Sequence, residues 1–121
     1  MGAPACDLVA KLVRVDAKSQ AWNICLGAAR ARWLFGKETG ADTAREWTFL
    51  LDGTSCVFAA GERIRLEIAG TAFPWLDRSS NLPDVPAREA GPGRWRRVTH
   101  QMIHNPQFQS RVELPILELH A

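Results

Sequence analysis

Residues 62–68 read Glu-Arg-Ile-Arg-Leu-Glu-Ile, and this alternation constrains the fold more than any other feature of the chain. Ile64, Leu66 and Ile68 fall on one side and Arg63, Arg65 and Glu67 on the other only if the backbone is extended, so the segment predicts a strand with one wet face. Ala59-Ala60-Gly61-Glu62 ahead of it reads as a turn, with Gly61 free to take positive φ. Cys56-Val57-Phe58 before that turn reads as a short strand or strand end.

The same period recurs along the chain. Residues 7–15 carry Leu8, Ala10 and Leu12 on one face and Val9, Lys11 and Val13 on the other. Asp16-Ala17-Lys18-Ser19-Gln20 is a polar hairpin turn, and Ala21-Trp22-Asn23-Ile24-Cys25 is its partner strand with Trp22 and Ile24 in phase. Gly27 is expected to break that run and residues 28–34 to resume it as strand. Trp47, Phe49 and Leu51 alternate with Glu46, Thr48 and Leu50, and residues 97–103 alternate weakly. Residues 111–119 form the last expected strand, where Pro115 points to an edge or a bulge.

Helical signals are poor. Residues 39–45 could make one short turn, and no long apolar stripe of period 3.6 appears. Residues 36–45 are polar loop, and residues 74–96 form a long loop rich in proline and glycine without periodicity. About seven short strands and almost no helix predict an all-β sandwich in a single domain spanning residues 1–121. Periodicity does not choose among the immunoglobulin-like, jelly-roll and other sandwiches. A hydrophobic share of 46% is enough for a core.

Several function classes recede on composition. A net charge of +2 is too small to argue for nucleic acid or an anionic membrane. No apolar run approaches the roughly 18 residues of a membrane span, and the first residues lack the basic-then-apolar pattern of a secretory signal. Cys6, Cys25 and Cys56 are odd in number and far apart, which suits reduced thiols and a cytoplasmic setting. There is no Gly-x-Ser-x-Gly elbow and no phosphate-binding glycine loop. His100 and His104 would stand about 13 Å apart on an extended strand, too far to share a metal ion. No cofactor and no metal is expected. Arg94-Trp95-Arg96-Arg97 reads as a solvated loop end rather than a nucleic-acid stripe. Of the five tryptophans, Trp22 and Trp47 suit a core, while Trp75 and Trp95, beside the long loop, suit an exposed pair.

Four blocks then carry a resemblance. Residues 7–16, Asp-Leu-Val-Ala-Lys-Leu-Val-Arg-Val-Asp, and residues 22–32, Trp-Asn-Ile-Cys-Leu-Gly-Ala-Ala-Arg-Ala-Arg, are the first two. Residues 54–68, Thr-Ser-Cys-Val-Phe-Ala-Ala-Gly-Glu-Arg-Ile-Arg-Leu-Glu-Ile, continue to Phe73-Pro74-Trp75-Leu76-Asp77-Arg78 and Asn81. His104 with Ser110-Arg111-Val112-Glu113-Leu114-Pro115 completes the set. In order and spacing these resemble the C-terminal domain of the X-Pro dipeptidyl-peptidase and cocaine-esterase-like (CocE/NonD) serine hydrolases. Leu26 replaces the family's usual Asp, Glu62 replaces a common His, and residues 69–72 replace a Ser/Asn-rich stretch, so loop contacts are expected to differ.

The resemblance implies a jelly-roll, galactose-binding-like sandwich that lacks the family's first strands and the catalytic α/β-hydrolase domain. It implies a module without catalytic residues of its own, packed on an α/β-hydrolase domain or subunit and helping wall the substrate cleft. Asp7, Phe73, Trp75, Asp77 and Arg78 are the candidate cleft or interface residues, with Phe73 expected in the core rather than the cleft. A carbohydrate-binding module stacking sugar on Trp75 or Trp95, and an assembly domain that dimerises through an open sheet edge, are the alternatives. Neither nucleic acid nor a membrane is an expected partner.

Overall fold

The structure is a computed structural model and describes residues 5–36, 44–82, 85 and 88–118. Three antiparallel strands form one sheet in the order β2-β1-β3: β1 Asp7–Val15, β2 Ala21–Arg30 and β3 Arg63–Ala69. Beyond them the described residues hold only a single helical turn, α1 Ala31–Phe35, and a 3-10 turn at Pro92–Arg94. The fold is thus all-β and antiparallel, as the alternation predicts.

β1 is central because its sequence is apolar on both faces. Leu8, Ala10 and Leu12 on one face and Val9, Val13 and Val15 on the other are all buried, and Val13 is wholly inaccessible. The polar residues on this strand answer partners: Lys11 Nζ lies 3.6 Å from Glu67 of β3, and Asp7 takes a two-pronged contact from Arg30 of β2. The hairpin turn is fixed by one side chain. Asp16 Oδ1 accepts from the Lys18 and Gln20 backbone N–H groups, Asp16 Oδ2 accepts from the Trp22 indole, and Ser19 takes a left-handed φ of 64°.

Several sequence expectations are corrected. β2 runs unbroken through Gly27. The irregularity lies instead at Ile24, which the register skips between Leu12↔Cys25 and Val13↔Asn23. Such a bulge shifts the phase, so Trp22 shares a face with Cys25 rather than with Ile24. Trp22 is 50% exposed, tied to Asp16 rather than to the core. Residues 31–35 are helical, not strand, and end at Gly36, whose φ of 71° closes the turn. The segments expected as strands at 47–51, 56–58, 97–103 and 111–118 make no ladder among the described residues. Alternation fixes which side chains share a face but supplies no neighbour to bond with. The turn expected at 39–45 lies mostly outside the described residues, as do Pro83 and Pro86 of the long loop and Leu119 at the end of the last expected strand.

Two non-ladder segments are nevertheless anchored. Asp52 N–H donates to the Leu26 carbonyl (3.0 Å) at the free edge of β2. Residues 103–110 close on themselves through Asn105, whose Oδ1 accepts from Gln107 and Phe108, and through His104 Nδ1, which accepts from Ser110 N–H (3.0 Å).

Candidate functional site

The bend that follows β3 and the loop beyond it carry most of the candidate residues. A turn places Trp75 and Leu76 N–H on the Ala72 carbonyl, and the Phe73–Pro74 bond is cis. Phe73 is 64% exposed, not in the core as its sequence context suggests, and Trp75 is 80% exposed.

Past Arg78 the chain is sewn down. Ser80 is buried, its hydroxyl donating to the Val85 carbonyl and accepting from Leu82 N–H. Asn81 adopts a left-handed φ of 58°, and its side chain donates to the Arg96 carbonyl (2.8 Å). Arg96 N–H returns a bond to the Ser80 carbonyl (2.9 Å), and the Trp95 indole donates to the Ala90 carbonyl (2.9 Å). These bonds hold Trp95 beside the bend. The Arg78 guanidinium sits 4.8 Å from the Trp95 ring centroid and 5.7 Å from that of Phe73. Both distances are within the range at which a cation is attracted by a ring face.

Phe73, Asp77, Arg78, Arg88 and Trp95 line one open recess. Arg88 carried no signal in the sequence. It stands in a stretch without periodicity and, among the described residues, makes an exposed 3.7 Å contact with Glu89. Trp75 projects to solvent and is not part of this recess.

Asp7 opens β1 and is held by β2. Arg30 Nε donates to its Oδ1 (2.8 Å) and Nη2 to its Oδ2 (3.2 Å), while the Trp33 ring lies 4.9 Å from the same guanidinium. This pair closes the β1–β2 ladder at its last register position. Asp7 does not line the recess, although two residues before it the Ala5 carbonyl accepts from Ser79 Oγ (3.5 Å), next to Arg78. Trp47 is half-buried in a second aromatic group, packed edge-on to Phe35 (5.3 Å) and against Phe49 (6.2 Å).

The thiols are free. Burial, then the neighbouring Asp7 carboxylate, raises the Cys6 pKa, and burial followed by Asp52 and Cys56 raises that of Cys25. Neither is tuned as a nucleophile, which requires the opposite shift. Among the described residues no group of three or more His, Cys, Asp or Glu could hold a metal ion, and no helix is long and apolar enough to cross a membrane.

Comparison with known proteins meets this picture from outside. Over residues 2–113 the sequence matches the family described as the X-Pro dipeptidyl-peptidase C-terminal non-catalytic domain. It is also 31% identical over 116 residues to the cocaine esterase of Rhodococcus sp. (strain MB1 Bresler), covering 93% of this chain and 20% of that protein. The chain thus spans about a fifth of the length of the curated relative it matches. With the blocks at 7–16, 22–32 and 54–81 falling inside the matched region, the chain belongs to the X-Pro dipeptidyl-peptidase C-terminal non-catalytic domain family.

Proposed function

We propose that this chain serves an X-Pro dipeptidyl-peptidase or CocE-like serine hydrolase as its non-catalytic β-sandwich domain of jelly-roll type, packing on the α/β-hydrolase domain and helping wall the substrate cleft. One observation carries the reading. Sixteen large apolar side chains among the described residues are exposed, two of them on an edge strand of the sheet. Ile64 (54%) and Leu66 (38%) lie on the apolar face of β3, an edge strand whose one ladder partner among the described residues is β1. Ile116 and Leu117 are more than four-fifths exposed. Surfaces of this kind are covered in a working assembly. In the parent enzymes the catalytic domain would hydrolyse esters, amides or Xaa-Pro peptides through an acyl-enzyme, and this module would shape access to it.

The test is reconstitution. The chain is co-expressed with the catalytic part of a family hydrolase that lacks its own C-terminal domain, and co-elution and turnover of a p-nitrophenyl ester are measured. Co-elution with a gain in turnover supports the reading. Failure to associate, with turnover unchanged, overturns it.

A further inference from the structure

We propose that the recess formed by Phe73, Asp77, Arg78, Arg88 and Trp95 is a binding site for a small aryl carboxylate, with Arg78 as the residue that takes the carboxylate. The first argument is the state of Arg78. Its guanidinium lies against two aromatic rings yet makes no ion pair or hydrogen bond among the described residues. Contact with ring faces leaves the N–H groups at its edge unspent. That edge is a planar fork matched to the two oxygens of a carboxylate.

The second argument is charge and size. Among the described residues of the lining, Arg78 and Arg88 against Asp77 leave one net positive charge. The recess is open to solvent and offers about 170 Å³, room for a single aromatic ring laid against its wall rather than swallowed by it. The exposed face of Phe73 offers an apolar wall for such a ring. A bare inorganic anion would leave this wall wet, and a neutral arene would leave the exposed guanidinium edge to water.

The third argument is rigidity. Trp95 is fixed by the Ala90 carbonyl, and the backbone beside it is bonded to Ser80 and Asn81, so the ring that orients Arg78 is in place before any ligand arrives. Preorganisation of this kind lowers the ordering cost of binding. The inference concerns this chain alone and stands whether or not it docks on a hydrolase.

The experiment is a benzoate titration of the full chain at constant ionic strength, followed by the indole N–H resonances in a ¹H–¹⁵N spectrum. The Trp95 peak is assigned with Trp95→Phe. The expected result is a saturable shift of the Trp95 resonance with a Kd of about 1 mM, and a Trp22 resonance, bonded to Asp16 on the distant hairpin, that does not move. Arg78→Gln should weaken binding about tenfold or more, and Arg88→Gln by a smaller factor. The unmoved Trp22 peak reports that each variant is folded, and should Arg78→Gln unfold the chain, Arg88→Gln decides. A wild-type chain that gives no saturable shift overturns the proposal. So does a response to benzamide equal to that for benzoate, or affinity unchanged in the folded arginine variants.

Discussion

Gly27 and Asp16 show how much of this structure rests on single side chains, or on the lack of one. Gly27 stands opposite Ala10 across the β1–β2 ladder, and the backbone at Leu50 and Leu51 passes directly over it. A Cβ at position 27 would collide with the Leu50 carbonyl, so the two small residues make the notch through which residues 50–52 reach the Leu26 carbonyl. Gly27→Ala is expected to destabilise the chain by about 1–3 kcal/mol, because the object in the way is backbone and cannot rotate aside. Denaturant unfolding of the two chains measures it. Asp16 is bound up with pH. The indole of Trp22, then the backbone N–H groups of the turn, hold its carboxyl below the usual range. A folded pKa lower than the unfolded value of about 3.9 means stabilisation that is present above that value and fades as pH falls through the folded one. Asp16→Ala should therefore lower Tm near neutral pH, and its gap from the wild type should narrow below about pH 4. A gap that stays constant with pH would remove the charge from this account.

Strands differ in how their sequence could be read. β3 was legible because it alternates without interruption, and β1 because a mostly apolar run of nine residues ends at a polar turn. The hairpin turn was legible because Asp16 supplies the acceptors that a tight turn needs. The bulge at Ile24 was not, since skipping one residue leaves local composition unchanged and appears only against the partner strand. Nor was α1 legible, because five residues are too few to show a period, and Ala31 still bonds back to the Cys6 carbonyl as a strand residue would. Of the site, the motif 73–78 marked the bend, but the partnership of Arg78 with Trp95 depends on bonds between residues 15 apart. Central and edge positions should also differ in cost. Leu12 on β1 is 3% exposed, whereas its cross-strand neighbour Leu66 on β3 is 38% exposed. Leu12→Ala is expected to cost about 2–5 kcal/mol, and Leu66→Ala clearly less, as measured by chemical denaturation. Equal costs would mean that β3 is buried in solution by something other than this sheet.

At the scale of the whole molecule, the sheet has one enclosed strand between two edge strands. β1 is enclosed by neighbours at both edges, while the outer edge of β3 has no ladder partner among the described residues, and its apolar face bears Ile64 and Leu66. An edge of that kind attracts either a second copy or the remainder of a larger protein. The two outcomes separate by experiment. Replacing Ile64 and Leu66 with lysine should leave the isolated chain folded by circular dichroism, because neither side chain is enclosed by the sheet. The same pair of substitutions should abolish co-elution with the catalytic part of a family hydrolase, since two buried, unpaired ammonium groups would oppose any apolar interface there. If instead the wild-type chain runs as a concentration-dependent dimer in light scattering and the double lysine variant as a monomer, the open edge pairs with itself. Should the variant still bind the hydrolase with undiminished affinity, β3 is not the docking face, and the exposed residues 116 and 117 become the next surface to test.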